Sequence, residues 1–141
     1  LIAVFPESPT ALPKNMFNFE KLTVWQKSID FADLVYTCTR TFPADERFGL
    51  TNQMRRAAVS VSSNIAEGCS RSTPKDHARF VEIATGSLFE VVSQSFVAQR
   101  QRFISDEHFR AVYAAAEEEG RMLSGLRRSI LHGSRPSTIN F

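Results

Sequence analysis

The chain has little of what most site chemistries require. Its two cysteines, Cys38 and Cys69, match no disulfide framework and no metal-ligand spacing, and free thiols suit a reducing cytoplasm. There is no Cys-x-x-Cys, no glycine-rich phosphate loop and no Gly-x-Ser-x-Gly elbow, so signatures of redox, nucleotide and acyl-transfer chemistry are missing. The three histidines, His77, His108 and His132, have no glutamate three residues before them. A di-iron bundle site, which takes Glu-x-x-His from two helices, therefore fails on spacing. No apolar run approaches the ~20 residues of a membrane span. The single tryptophan, Trp25, reads as core, with no aromatic series arranged to stack bases. A formal charge of +2 is far from polybasic, so any affinity for nucleic acid has to come from where the charges lie. No cofactor, metal or catalytic constellation is expected, and an enzyme is the least favoured class.

What is present is helical period. In LTNQMRRAAVSVSSNIAEG, residues 50–68, apolar and small side chains return at Leu50, Met54, Ala57, Val61, Ile65 and Gly68, which is the spacing of one helix face. A single stripe buries too little to fold alone, and three other segments of matching period are available as partners. The first, about 23–41, has a capping-box pattern in Thr23 and Gln26 and a stripe of Trp25, Ile29, Ala32, Tyr36 and Thr39, with Phe31 and Val35 beside it. Pro43 stops it, and a short turn is expected at Asp45 to Arg47. The third helix, about 74–102, starts on Thr73 and Pro74 and carries Phe80, Ala84, Leu88, Val91, Ser95 and Ala98 on its main face. The fourth opens on Ser105 with Asp106 and Glu107, and runs through Phe109, Val112, Tyr113, Ala116, Leu123, Leu126 and Ile130 to about Gly133. Short connections between four such helices predict an all-α, antiparallel up-down-up-down bundle over 17–133. Residues 1–16 are expected to be a disordered or non-native arm with the natural start at Met16, and 134–141 a flexible tail. Cys38 and Cys69 then fall near opposite ends, too far apart to bridge.

Three stretches in order, FEKLTVWQKSIDFADLVY at 19–36, QMRRAAVSVSSNIAEG at 53–68 and FVEIATGSLFE at 80–90, resemble the bacterial four-helix-bundle proteins encoded in intervening sequences of 23S ribosomal RNA genes, relatives of the accessory protein of diversity-generating retroelements. The resemblance covers about residues 17–131. It implies an antiparallel bundle, a ring-like homopentamer, and RNA or a nucleic-acid enzyme as partner, and it implies no known reaction.

On the third helix, Phe89, Val92 and Phe96 lie roughly 80° to 140° from the centre of the main stripe at 100° per residue. A broad core face would explain them. The ring implied by the resemblance favours a subunit interface, since a monomer rarely leaves such a strip in water.

Antiparallel order would also sort the charges. One end gathers Arg40, Arg47, Arg55, Arg56, Arg100, Arg102 and Arg110 against Asp45, Glu46, Asp106 and Glu107, and the opposite end holds Lys21, Lys27, Arg71, Lys75, Arg79, Arg127 and Arg128 with fewer acids nearby. Arginine suits phosphate because its planar fork makes two parallel hydrogen bonds, so Arg47, Arg55, Arg56, Arg100, Arg102 and Arg110 are the candidate nucleic-acid contacts. An ordinary solvated surface is the competing explanation. Asn64, Glu67 and Glu90 are expected as buried polar residues that hold helix register, with Glu90 level with Arg55 or Arg56. A catalytic carboxylate pair there would need a polar pocket. Gly68, Gly86 and Ser87 are expected to allow close helix approach, and neither cysteine has a histidine placed by local sequence to activate it. The expected function is a non-catalytic accessory protein that binds structured RNA, or an enzyme acting on RNA. The alternative is a protein-interaction scaffold without nucleic-acid binding.

Overall fold

A computed structural model describes residues 17–133; the expected arm and tail lie outside the described residues. Within them every regular element is helical. The helices are α1 (Thr23–Thr39), α2 (Leu50–Gly68), α3 (Pro74–Arg100) and α4 (Asp106–His132), with 3-10 turns at Asn18–Lys21 and Ala44–Glu46.

Local signals explain most boundaries. Thr73 caps α3 by accepting from the Asp76 N–H at 3.1 Å with Pro74 at the first helical position, and Ser105 caps α4 by accepting from the His108 N–H at 3.1 Å. The start of α2 is capped from outside: the Glu46 carboxylate accepts from the Leu50 N–H at 2.9 Å, which places negative charge at the positive end of the helix dipole. Gly133 ends α4 with a left-handed backbone, φ 62°.

The first helix departs from the sequence expectation. Its N-cap is Leu22, Thr23 is already helical and makes no capping bond, and Gln26 instead donates through Nε2 to the Glu20 carbonyl at 2.8 Å. The carboxylate of Glu20 is engaged in the preceding turn, where it accepts from the Phe17 N–H at 3.0 Å. The buried stripe is Val24, Ser28, Phe31, Val35 and Cys38, with Ala32 and Thr39 beside it, while Ile29 and Tyr36 face outward. Ser28 can sit in the core because its hydroxyl donates to the Trp25 carbonyl. Trp25 itself is half-buried, its ring 4.9 Å from that of Phe19.

The other three helices bury the faces their spacing predicts. On α2 these are Met54, Ala57, Val61, Ile65 and Gly68; on α3 Phe80, Ala84, Leu88, Val91, Ser95 and Ala98; on α4 Val112, Ala116, Leu123 and Leu126. Phe109 and Ile130 are only half-buried and Tyr113 is exposed. Each helix packs on two others, α2 on α1 and α3, and α4 on α3 and α1. Burying a side chain such as Met54, Ile65, Leu88 or Leu123 contributes about 1.5–3 kcal/mol, so the shared core, and no single helix, holds the fold.

The helices meet at definite pairs. Ser60 and Ser87 share a hydrogen bond of 2.9 Å between α2 and α3, and Glu82 meets Arg127 between α3 and α4. At Gly68 the approach of α2 to α3 leaves no room: an added Cβ would stand 3.0 Å from both His77 Cδ2 and Phe80 Cβ. Gly86 has no such role, since nothing lies within 4 Å of a Cβ built there. The Phe42 and Phe103 rings, 5.8 Å apart, bring the turn after α1 and the turn after α3 to one end of the molecule.

Candidate functional site

That shared end carries the arginines. Arg40 closes α1, Arg47 lies between the first two helices, Arg55 and Arg56 stand in the opening turns of α2, Arg100 and Arg102 close α3, and Arg110 is in the first turns of α4. The backbone that presents Arg102 is unusual. The Phe103 N–H donates to the Ala98 carbonyl at 2.9 Å and the Arg102 N–H to the Gln99 carbonyl at 3.0 Å, a helix ending that turns on one left-handed residue, usually glycine. Here that residue is Arg102, with φ 61°. The ending stops α3 at Arg100, two residues before the expected boundary.

None of the arginines at this end forms an ion pair among the described residues. All the ion pairs lie elsewhere: Arg71 with Glu67 and Asp76, Arg79 with Asp76, Arg127 with Glu82 and Lys27 with Glu118. This reverses the expectation that the opposite end had fewer acids nearby: Arg71, Arg79 and Arg127 there each meet a carboxylate, while Arg128 forms no ion pair among the described residues. At the arginine-rich end the acids do not answer the arginines, and Glu46 is held by the α2 backbone. Arg55 is the most fixed of the set, donating to Thr39 Oγ1 at 2.9 Å with its guanidinium 4.6 Å from the Tyr36 ring centre. Arg47 lies 5.0 Å over the ring of Phe48, which is 83% exposed. Nothing in the sequence marks Phe48, because a lone phenylalanine before Gly49 has no periodic signal.

The polar residues expected in the core are not there. Glu90 is exposed and does not meet Arg55 or Arg56. Its height along α3 matches theirs, but at 100° per residue it is turned about 160° from Leu88. Glu67 is exposed and pairs with Arg71 at 3.0 Å. Asn64 is half-buried and bonds back to Ser60 on its own helix, to the carbonyl at 2.8 Å and to Oγ at 2.9 Å. Register between α2 and α3 is therefore marked by the Ser60–Ser87 bond. These three residues line neither of two cavities in the molecule, one of about 430 Å³ between α3 and α4 beside Lys75, Arg79 and Arg127, and one of about 170 Å³ between α1 and α4.

Of the outer strip on α3, Phe89 is 69% and Phe96 48% exposed, while Val92 is half-buried against the core. Phe96 stands edge-on to Phe109 at 5.0 Å and to Tyr113 at 6.4 Å, so the strip continues across the seam onto α4.

Cys69 does have a histidine neighbour, contrary to expectation. Its Sγ is 3.8 Å from His77 Nε2, across the turn between α2 and α3. Burial pushes the thiol pKa up and the imidazole pKa down. Both shifts favour the neutral forms, the opposite of what a thiolate nucleophile needs. Cys38 is buried, and both cysteines are free.

The geometry describes an all-helical protein built on four α-helices with one arginine-rich end free of ion pairs. The chain belongs to the 23S rRNA-intervening sequence protein family, whose model matches residues 20–125. Its fold is similar to a crystal structure of a protein of unknown function from the S23 ribosomal protein family of Bacteroides thetaiotaomicron, with a TM-score of 0.67 and 20% identity over 74% of this chain and 98% of that one. No curated protein matches the chain. No helix among the described residues is long and apolar enough to cross a membrane.

Proposed function

We propose that this chain is a non-catalytic cytoplasmic accessory protein that binds structured RNA through Arg47, Arg55, Arg56, Arg100, Arg102 and Arg110. The observation that carries this is the contrast in pairing: Arg71, Arg79 and Arg127 meet carboxylates, whereas none of the seven arginines at the one end does. Guanidinium groups without carboxylate partners are free to take phosphate oxygens two at a time. The membership of a family linked to 23S rRNA intervening sequences supports RNA as the polyanion, and the accessory protein of diversity-generating retroelements is taken as a relative.

An antiparallel bundle assembled as a ring-like homopentamer is part of the same proposal. The pairs Ser60–Ser87, Cys69–His77, Phe96–Phe109 and Glu82–Arg127, whose numbers run in opposite senses along each helix pair, support the antiparallel order. The exposed rings of Phe89 and Phe96, with Val92 beneath, support a subunit contact. That same strip favours the second reading, a protein-interaction scaffold.

The test is fluorescence anisotropy of a labelled structured RNA from a 23S intervening sequence, titrated with protein at several salt concentrations. Binding that weakens linearly in log–log form with salt is expected, with a slope set by the number of phosphates neutralised. Affinity independent of salt, or no binding at low salt, would move the function to the scaffold.

A further inference from the structure

The seam between α1 and α4 holds a carboxyl group that the fold does not account for. Glu119 stands on the buried stripe of α4 between Ala116 and Leu123 and is 2% exposed. Neither of its carboxyl oxygens has a hydrogen-bond partner among the described residues. A leucine would suit the stripe, whereas a carboxyl without a partner is costly in either protonation state. Beside it lies the cavity of about 170 Å³, with Phe31, Leu34 and Ala115 as apolar wall. Asp30, Lys27 and Glu118 complete the lining, the last two joined in an ion pair of 2.7 Å.

We propose that this cavity binds a small organic cation, a primary ammonium or guanidinium group on a short aliphatic chain, whose charge pairs with Glu119. The head group supplies the N–H donors that both Glu119 oxygens lack, and the chain lies along Phe31, Leu34 and Ala115. Three carboxyl groups face one lysine, and that lysine is already engaged by Glu118, so the lining favours a second positive charge. A metal ion fits less well: the three carboxyl groups are not placed to hold one together, and hard cations want six or more oxygens. The cavity shares no residue with the arginine-rich end, so this inference stands apart from RNA binding.

Binding carries a proton balance. Burial pushes the Glu119 carboxyl pKa up to about 8, Glu118 adds to the rise and Lys27 opposes it. The titratable groups facing it are Lys27 and Asp30 on α1 and Glu118 on its own helix, and α2 and α3 contribute none to the lining. At pH 7 the free carboxyl keeps its proton, and pairing with a cation releases that proton to solvent.

Calorimetric titration of the whole chain with butylammonium and with butylguanidinium, at pH 7 in two buffers of different ionisation heat, tests this. Saturable one-to-one binding with release of close to one proton is expected, at least tenfold weaker in Glu119→Gln. Tetramethylammonium, which has no N–H, is expected not to bind. Lys27→Met is the second variant: it keeps Glu119 and removes the resident positive charge, so binding tightens. Absence of saturable binding, equal affinity in Glu119→Gln, or binding without proton release overturns the proposal. So does a Lys27→Met protein that loses stability and binds neither probe, because Lys27 is then the partner of Glu119.

Discussion

Arg102 occupies at the end of α3 the left-handed position that Gly133 occupies at the end of α4, with φ of 61° and 62°. Glycine takes this conformation freely, whereas a residue with a Cβ is strained there by about 1 kcal/mol. Arg102→Gly is therefore expected to raise stability by about 1 kcal/mol in chemical denaturation while weakening RNA binding. Improved stability with unchanged RNA affinity would remove Arg102 from the interface. A drop in stability would show that its side chain serves the fold.

The two ends of the bundle should respond differently to charge removal. Arg56→Ala with Arg110→Ala is expected to weaken RNA binding uniformly across sequences and to reduce the salt slope by roughly one for each phosphate no longer neutralised. Arg79→Ala and Arg127→Ala remove side chains already paired with Asp76 and Glu82 and should change affinity little. Equal effects at both ends would mean that the pairing contrast does not direct binding.

Gly68→Ala tests the tightest helix approach. The new methyl would meet His77 Cδ2 and Phe80 Cβ at 3.0 Å and the His77 carbonyl oxygen at 3.3 Å. Because backbone and Cβ atoms cannot swing aside, overpacking should outweigh the gain in helix propensity, with a net loss of roughly 1 kcal/mol. A raised melting temperature would show that α2 and α3 can move apart.

Glu119 makes stability depend on pH in an unusual direction. Its folded pKa of about 8 lies above the ordinary value of 4.5, so the folded chain holds the proton more tightly than the unfolded one. The contribution is complete below about 4.5 and is lost as pH rises through about 8, by an amount on the order of a few kcal/mol. Thermal melts from pH 5 to pH 8.5 should show a falling melting temperature that Glu119→Leu flattens. A wild-type melting temperature that stays level would mean that Glu119 gains a partner when it ionises.

The exposed rings on α3 bear on assembly. For the ring-like assembly proposed above, Phe89→Glu with Phe96→Glu is expected to reduce the solution mass to that of a single chain without loss of helix content, by light scattering and circular dichroism. An unchanged mass would place any subunit contact elsewhere.

Local signals were the legible ones. Thr73, Pro74 and Ser105 act within one turn of themselves, and the stripes of α2 and α3 are uninterrupted, so their buried faces could be read directly. On α1 two adjacent rows compete, and the true one contains Ser28, whose hydroxyl is satisfied by its own helix and leaves no trace in an apolar pattern. Glu119 was hidden for the opposite reason, a charged residue in a row that otherwise reads as core. The Cys69–His77 contact and the isolation of Glu90 depend on rotation about two helix axes, which spacing along one helix does not encode. The arginine-rich end was visible as a grouping; the pairs Arg71–Glu67 and Arg79–Asp76 stand at helical spacing and could have been read, whereas Arg127–Glu82 joins two helices and could not.

The Glu46 carboxylate at the arginine-rich end is bound to the Leu50 backbone and not to an arginine. With seven arginines against Asp45, Glu46, Asp106 and Glu107 at that end, a chain of formal charge +2 is electrically lopsided, positive at one pole. In the field of a polyanion such a body experiences a torque at distances where the net force is still weak. In the proposed RNA binding its arginines would lead, so that the encounter is oriented before the first contact forms.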